Sequence, residues 1–330
     1  MSKKTVFSAI QPSGTPTLGN YLGALKNWNN MKNEYDCTFA VADLHAITVK
    51  QKPSELRRRT LEMYALFFAL GLDNENSTVF VQSHVTAHSS LSWILSCFSS
   101  FGEMSRMTQF KDKAQKHKDN INVGLFSYPI LMVSDILLYN ANLVPVGKDQ
   151  NQHLEITRDI AERFNGIYGD VFTVPEPFKE FAGAKIMSLT DPTKKMSKSE
   201  ENQKSFISLT DTPAQITKKI KSAVTDSDGE IIYKEGKDGI NNLLTIYSCC
   251  RDQTIEESEK EFQGVLYGDF KAAVAEAVVS ELEPLQERYN DFVSNKEFLE
   301  KQMKIGAEKA EYIANKTLRK VMKKVGFYSL

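Results

Sequence analysis

Apolar and polar positions along the first two thirds of the chain follow two periods in turn. Four short apolar runs have the length and composition of buried strands, at residues 6–10, 37–42, 78–82 and 143–146. Between them, apolar residues recur at helical spacing in residues 21–31, 53–70, 127–139 and 152–164. Strands that alternate with helices in this way predict an α/β fold built on a parallel sheet.

From residue 211 onward the pattern is helical. Asp211, Thr212 and Pro213 form a typical helix start, with the proline in the first turn. Helical periods follow at residues 216–223, 240–250, 255–262, 270–290 and 297–325. We therefore expect an α-helical domain after the α/β part.

Residues 5–20 join the first predicted strand to the first predicted helix through a tight turn. In an open α/β sheet such a junction directs free backbone N–H groups at one point, which suits an anion such as a phosphate. Gly14 and Gly19 have the spacing of a P-loop, but Asn20 and Tyr21 replace its lysine and hydroxyl residue. The glycines also lack the spacing of a dinucleotide-binding motif. The sequence thus predicts an anion site of neither kind.

Composition and charge narrow the class of protein. The chain has 330 residues, of which 41% are hydrophobic, enough for two domains or for one domain with a helical extension. No secretory leader is evident and no apolar run reaches the roughly 18 residues of a membrane span, so we expect a cytoplasmic protein without a membrane partner. The net charge of -1 implies that any contact with nucleic acid is local.

The most apolar predicted helix, at residues 127–139, contains a single charge, Asp135. Tyr128, Met132 and Tyr139 lie on the same helical face, so aromatic rings and a thioether would frame the carboxylate. Such a face suits a flat ring that carries an N–H group. Alternatively, Asp135 accepts hydrogen bonds from a neighbouring helix or pairs with an arginine. On either interpretation, an ionised carboxylate in this segment requires a donor.

Several histidines and one lysine are weaker candidates. His45 follows the second predicted strand, at the end where parallel sheets bind ligands, and either lines a site or has a structural role. His84 and His88 have a spacing that fits a metal, but no third ligand is evident, so we do not expect a metal site. Lys111 lies in a basic stretch and could reach a phosphate.

A loop rich in lysine and hydroxyl residues follows the predicted α/β part. Residues 190–199 contain too many charges and chain breakers for a helix or a strand. A mobile loop at this point could fold over the ligand edge of the sheet and complete the anion site. The alternative is an ordinary solvated loop.

The same loop carries a family resemblance. The second signature of class I aminoacyl-tRNA synthetases is matched by Lys195, Met196, Ser197, Lys198 and Ser199. Residues 17–20, Thr-Leu-Gly-Asn, stand where the first signature, His-Ile-Gly-His, would lie, and they share its glycine. Together with the Asp135 helix and residues 144–150, these strings resemble the bacterial tryptophanyl-tRNA synthetase family over nearly the whole chain.

This resemblance implies a fold and an activity. It implies a Rossmann-like parallel-sheet catalytic domain at residues 1–205 and an α-helical domain that binds the tRNA anticodon at residues 206–330, whose last helix could pack back on the catalytic domain. The implied enzyme activates L-tryptophan with ATP and Mg²⁺ to tryptophanyl-adenylate, releases diphosphate and transfers the amino acid to tRNA(Trp). A homodimer is also implied.

Individual residues receive roles from the same resemblance. The implied catalytic residues are Gln11, Asn20, Lys195 and Lys198. Contacts to ATP are implied for Gln11, Pro12, Ser13, Gly19, Asn20, Gly147, Lys148, Asp149, Ile186, Lys195, Met196, Ser197, Lys198 and Ser199. Contacts to tryptophan are implied for Phe7, Met132, Asp135, Gly147, Lys148, Asp149 and Gln150.

Three other functions remain open at this stage. A tyrosyl-tRNA synthetase would use similar polar groups to hold a phenol, and residue chemistry alone does not separate an N–H from an O–H donor. A small-molecule nucleotidyltransferase would share the sheet and the Gly19 turn but would not need the helical third. A nucleotide-binding regulator would have no catalytic use for Lys195 and Lys198.

Overall fold

The computed structural model describes residues 3–108, 110, 121–147, 150–178, 184–198 and 200–328. The chain forms two compact units. Unit 1 comprises Met1–Ser13, Asn30–Ala182 and Asn295–Leu330, and unit 2 comprises Gly14–Asn29 and Gly183–Ser294. This grouping is discontinuous in sequence, and it differs from the sequential division at residue 205. The functional division into catalytic and anticodon-binding parts stays a prediction.

Unit 1 contains a five-stranded parallel sheet. Its strands are β1 (Thr5–Ile10), β2 (Asp36–Val41), β3 (Thr78–Val81), β4 (Leu143–Val144) and β5 (Glu176–Pro177). They follow the order β3-β2-β1-β4-β5, so the strand order reverses at β1. In sheets of this type ligands bind beyond the carboxyl ends of the strands at the point of reversal. The predicted α/β fold with a parallel sheet is confirmed.

Helices cover this sheet and supply the core of unit 1. They are α3 (Asp43–Ala46), α4 (Pro53–Ala69), α5 (Ala87–Ser96), α6 (Phe101–Ser105), α7 (Val123–Leu138), α8 (Asn151–Tyr168) and α13 (Lys296–Lys324). Helix α7 packs against α5 and α8. The buried cluster between them and the sheet includes Phe7, Phe80, Leu91, Val133 and Phe164.

The last helix, α13, lies at close range against the edge strand β3. A methyl group on Gly306 would overlap the carbonyl oxygen of Val79 and lie 2.8 Å from its carbonyl carbon. The side chain of Asn74 donates to the Gln302 carbonyl oxygen at 3.0 Å and accepts from the Val79 N–H at 2.8 Å. Helix α13 thus covers a strand edge that would otherwise be open to pairing with another chain.

Unit 2 is mainly helical. Its helices are α1 (Leu18–Gly23), α9 (Pro213–Lys221), α10 (Asp238–Arg251), α11 (Ile255–Glu261) and α12 (Tyr267–Ser294). Helix α2 (Trp28–Glu34) spans the point where the chain passes from unit 2 to unit 1. Helix α12 packs on α9 and α10. Among the helices of the described ranges, none has an apolar segment long enough to cross a membrane.

Some element boundaries differ from the predicted ones. The helix predicted for residues 21–31 is broken at Ala24, whose φ of -155° follows the weak helix former Gly23. Strand β4 ends at Val144, because Pro145 has no N–H group to continue the ladder. Strand β5 has only two residues, the second a proline, and no sequence pattern predicted it.

The close contact at Gly306 predicts opposite effects for two glycine substitutions. Gly306→Ala should lower the free energy of unfolding by about 1–3 kcal/mol, because α13 must move away from β3. Gly166→Ala, in the exposed last turn of α8 where no atom lies within 4 Å, should raise it by up to about 0.5–1 kcal/mol. Urea unfolding followed by circular dichroism measures both. A neutral Gly306→Ala would contradict the described packing.

Candidate active site

The carboxylate of Asp135 lies buried in α7 and accepts three hydrogen bonds. Its Oδ1 accepts from Gln82 Nε2 at 2.7 Å and from His88 Nδ1 at 2.6 Å. Its Oδ2 accepts from His45 Nε2 at 2.7 Å. All four side chains are buried. The donor that the sequence required is therefore present, and it is a group of three side chains instead of a single arginine.

The sheet brings these donors together. His45 lies on α3, directly after β2, and Gln82 directly follows β3. Both strands are parallel neighbours, so their carboxyl ends meet at one edge. His88 lies in the first turn of α5, which packs against α7. Polar residues at two strand ends and one at the start of the next helix thus converge on a single carboxylate.

The donors keep Asp135 ionised. Burial by itself raises the pKa of a carboxyl group, but the charge and hydrogen bond of His45, followed by those of His88, outweigh it. The pKa of Asp135 is consequently held well below its usual range. Asp135 is therefore an acceptor at neutral pH, with no proton of its own to donate.

A row of rings extends from this carboxylate to β1. His88 Nε2 lies 2.9 Å from the Tyr139 hydroxyl, and burial, followed by the Asp135 charge, raises the pKa of Tyr139 well above its usual value. His88 thus bridges the carboxylate and that hydroxyl through its two ring nitrogens. The Tyr139 ring stacks on Phe7 at 5.4 Å between centroids. Phe7 and Asp135, both predicted to contact tryptophan, are thus connected within unit 1.

A second set of rings lies on the other side of His45. The Tyr128 ring stands edge-on to His45 at 6.2 Å, and the Tyr128 hydroxyl lies 3.1 Å from His153 Nε2. His153 belongs to α8, which begins directly after Gln150. Met132, one turn before Asp135, is partly buried against the core. The Tyr128 ring thus contacts a donor of Asp135, while a contact of Met132 with the carboxylate stays a prediction.

The remaining predicted site residues of unit 1 lie in turns. After β1, the Ser13 N–H donates to the Gln11 carbonyl oxygen at 2.8 Å, and Pro12 between them is buried. Before α8, the Gln150 N–H donates to the Gly147 carbonyl oxygen at 2.9 Å. Four predicted residues lie outside the described ones, namely Lys111, Lys148, Asp149 and Ser199.

In unit 2, the two signature segments contact each other. A methyl group on Gly19 would lie 3.3 Å from Met196 Cβ and 3.5 Å from Ile186 Cβ. The Met196 N–H donates to the Ile186 carbonyl oxygen at 3.0 Å, and Met187 pairs with Lys195 in an antiparallel bridge. Gly19, Ile186 and Met196, all predicted to contact ATP, therefore pack against one another.

Thr17 and Asn20 form the N-terminal cap of α1. Thr17 Oγ1 accepts from the Asn20 N–H, while Asn20 Oδ1 accepts from the Thr17 N–H at 2.9 Å and from its hydroxyl at 3.1 Å. Thr17 is buried and its proton is used internally, whereas Asn20 is exposed. Because its oxygen is fixed by the cap, the amide Nδ2 of Asn20 is the group left to donate to a ligand.

The two predicted catalytic lysines differ in their surroundings. Lys198 Nζ donates to the Gly14 carbonyl oxygen at 3.1 Å, which places its charge beside the turn that precedes α1. Lys195 is exposed on the loop. Gly14 has a φ of +121°, a conformation that favours glycine, so the turn that Lys198 contacts depends on that residue.

The structure also places the histidines that were weaker candidates for the site. His45 binds Asp135, so it belongs to this buried network, and His88 binds Asp135 and Tyr139. His84 is exposed. Within the described ranges, no group of three His, Cys, Asp or Glu side chains could hold a metal ion. The sequence did not predict Gln82 as a partner of Asp135. The signal that could have identified it was a buried charge near the ends of two strands.

Comparison with known proteins decides the family. The family model described as "tRNA synthetases class I (W and Y)" matches residues 2–283. The chain belongs to this family. Membership confirms the predicted aminoacyl-tRNA synthetase family.

Curated relatives and solved structures of these synthetases cover nearly the whole chain. Tryptophan--tRNA ligase of Clostridium tetani is 53% identical over 326 residues, 99% of this chain and 96% of that protein. The same ligase of Clostridium perfringens is 56% identical over 324 residues, 98% of each. Tryptophanyl-tRNA synthetase from Mycoplasma pneumoniae has a TM-score of 0.90 at 34% identity, covering 100% of this chain and 99% of its own. The Campylobacter jejuni enzyme, solved with ADP and tryptophan, has a TM-score of 0.83 at 33% identity, covering 98% of this chain and 100% of its own.

The buried network predicts a stability effect at Asp135. Asp135→Asn should lower the free energy of unfolding at pH 7 by about 3–5 kcal/mol, because a neutral amide cannot accept all three hydrogen bonds. The folded pKa lies below the unfolded one, so the stabilisation is complete above about pH 4 and is lost as the pH falls through the folded value.

Urea unfolding at a series of pH values tests this effect, with Ser134→Ala as the control. Ser134 is the preceding residue of α7, and its buried hydroxyl has no hydrogen-bond partner among the described residues. Its loss should leave the free energy of unfolding nearly unchanged. Equal effects of the two substitutions at pH 7 would contradict the network.

Proposed function

We propose that this chain is a tryptophan--tRNA ligase, which activates L-tryptophan with ATP and transfers it to tRNA(Trp). The observation that carries the proposal is the buried, ionised carboxylate of Asp135 in unit 1. Relatives with 52% to 56% identity over nearly the full chain carry this name, and the Campylobacter jejuni structure contains ADP and tryptophan. The site and the relatives support the same substrate.

The hydrogen bonds of Asp135 leave room for one more donor. A carboxylate offers about four lone-pair positions, two on each oxygen. The described donors occupy two positions on Oδ1 and one on Oδ2. We assign the remaining position on Oδ2 to the indole N–H of tryptophan.

Selectivity follows from that unfilled position. Phenylalanine would fill the space but leave the carboxylate short of a donor, a defect that sites of this kind reject strongly. A tyrosine hydroxyl could also donate, so tyrosine is the substrate that the carboxylate alone does not exclude. Tyrosyl-tRNA synthetase from Aeropyrum pernix is only 18% identical, and its likeness concerns the fold. The tryptophan ligases share more than half of this sequence and favour tryptophan.

The first chemical step needs no protein nucleophile. The carboxylate of tryptophan attacks the α-phosphorus of ATP, the bond between that phosphorus and the α,β-bridging oxygen breaks, and tryptophanyl-adenylate and diphosphate form. Catalysis then consists of positioning and of stabilising negative charge on the phosphates. Lys195 and Lys198 supply positive charge, and the Asn20 amide supplies a donor. Mg²⁺ enters with the ATP phosphates as part of the substrate.

The second step uses tRNA(Trp), whose terminal ribose takes the amino acid from the adenylate. Two lysines of the domain predicted to bind the anticodon make contacts within unit 1, since Lys320 and Lys324 of α13 donate to the carbonyl oxygens of Asp170 and Tyr168. Individual tRNA contacts and a cytoplasmic location stay predictions.

A homodimer also belongs to the proposal, and exposed apolar residues of unit 1 support it. Trp93, Phe101 and Val123 are 74%, 76% and 80% exposed. They lie on α5, α6 and α7, and α5 and α6 each pack on α7. Exposed apolar side chains grouped in this way mark interaction surfaces.

The amino-acid specificity is tested by pyrophosphate exchange. Exchange should depend on tryptophan, with tyrosine and phenylalanine at least about 100-fold less efficient in kcat/KM. Exchange driven by tyrosine and not by tryptophan would overturn the proposal.

Substitution of Lys198 tests the charge on the phosphates. Lys198→Ala should lower kcat about 100-fold or more and change the KM for tryptophan little, because its charge acts in the transition state. Lys194→Ala is the matched control, since Lys194 lies on the same loop but is exposed and paired with Asp191 at 2.8 Å. Equal losses in the two variants would argue against a catalytic role.

Trp93→Glu should convert a dimer into a monomer, as measured by light scattering after size exclusion. Tyr312→Glu is its control, because Tyr312 is a 73% exposed aromatic residue on α13. Tyr312→Glu should stay dimeric. A monomeric unsubstituted protein, or an unchanged Trp93→Glu, would contradict the proposed surface.

A further inference from the structure

One carboxylate in unit 2 holds α1 at two points. Glu281, on α12, accepts from the Tyr21 hydroxyl at 2.6 Å and pairs with Lys26 Nζ at 3.2 Å. Tyr21 lies within α1, and Lys26 lies in the turn that follows it. Burial, reinforced by Glu281, raises the pKa of Tyr21 far above its usual value, so the phenol keeps its proton and donates it.

Lys26 extends this hold to α10. Its Nζ also donates to the Cys249 carbonyl oxygen at 2.8 Å and to Asp252 Oδ1 at 2.9 Å. Asp252 ends α10 in the left-handed conformation, with a φ of 52°. The chain after α1 is therefore tied to the end of α10 as well as to α12.

Helix α12 also fixes the segment that pairs with the start of α1. The Leu18 N–H donates to the Ile207 carbonyl oxygen at 2.8 Å, and the Leu209 N–H donates to the Pro16 carbonyl oxygen at 3.0 Å. Gln286, five residues beyond Glu281 on α12, donates from Nε2 to the carbonyl oxygen of Leu209 at 2.9 Å. One helix thus secures both ends of α1.

Helix α1 needs such support because it has only six residues. Helices of this length are not stable alone, so their orientation depends on the contacts of their side chains. Gly19 and Asn20, assigned above to ATP, are part of α1. The Tyr21 hydroxyl comes from the residue next to Asn20, and any rotation of α1 that this bond prevents would move the Asn20 amide.

We propose that Glu281 is a positioning residue for ATP, which acts through Tyr21 and Lys26 on the orientation of Gly19 and Asn20. The inference rests on the proposed function and extends it to a residue of the helical unit that touches no substrate. Loss of the Tyr21 contact should therefore weaken the interaction with ATP and leave the tryptophan site in unit 1 unaffected.

Tyr21→Phe and Glu281→Leu in the full-length chain test this inference. Each should raise the KM for ATP in pyrophosphate exchange, and the Kd for ATP with Mg²⁺ in titration calorimetry, about five- to tenfold. The KM for tryptophan should stay within about twofold, since Asp135 and its donors are unchanged. Glu281→Gln keeps an oxygen that accepts from Tyr21, so it should restore most of the affinity for ATP.

Tyr247→Phe is the matched control. Tyr247 donates to Glu261 at 2.7 Å in the same unit, a tyrosine–glutamate bond of the same kind that joins α10 to α11. It should leave the affinity for ATP unchanged. Equal effects of Tyr21→Phe and Tyr247→Phe, or an equal rise in the KM for tryptophan, would overturn the proposal and reduce Glu281 to a general stabiliser.

Two further readouts keep the test decisive. If Glu281→Leu does not fold, Tyr21→Phe removes a single oxygen atom and leaves the ion pair with Lys26 in place. If the unsubstituted protein shows no tryptophan-dependent exchange, the proposed function fails, while calorimetry with ATP still decides the positioning role. An unchanged Kd for ATP in Tyr21→Phe contradicts that role in either case.

Discussion

An ionised carboxylate inside an apolar helix must be supplied with hydrogen-bond donors, and Asp135 places this constraint on unit 1. An uncompensated buried charge would cost several kcal/mol, a large share of the stability of a typical domain. The ends of β2 and β3 and the start of α5 each provide a donor within 2.7 Å. The parallel sheet, the strand order and the packing of α5 on α7 are thus tied to one group.

In the proposed function, tryptophan recognition in unit 1 and phosphate chemistry in unit 2 use different interactions. In unit 1, desolvation strengthens each hydrogen bond of Asp135, so a ligand without the matching donor would lose much of its binding energy. In unit 2, Lys195 is exposed and Lys198 lies beside Gly14, and in the proposed function both charges act on the phosphates of ATP. Helix α1, which contains Gly19 and Asn20, is too short to be stable alone. Its orientation depends on contacts such as those of Tyr21 and Lys26 with Glu281 on α12.

Much of this could be predicted from local sequence. The apolar runs predicted the longer strands, and the single charge in residues 127–139 predicted both the importance of Asp135 and its need for a donor. The identity of the donors was not predictable, because Gln82 and His88 are 53 and 47 residues away and meet Asp135 only through the sheet. Strand β5 was missed because two residues carry no periodicity. The grouping of residues 14–29 with unit 2 depends on backbone bonds such as Leu18 to Ile207, which no local pattern encodes.

We propose that Asp135 accepts the indole N–H of tryptophan while three side chains hold it ionised. The most direct measurement is the NMR signal of tryptophan labelled with ¹⁵N at the indole nitrogen, bound to the protein. We expect the indole proton to move downfield on binding and to exchange slowly with solvent, and we expect both changes to disappear in Asp135→Ala. An indole proton that exchanges as in free tryptophan, with tryptophan bound, would contradict the account.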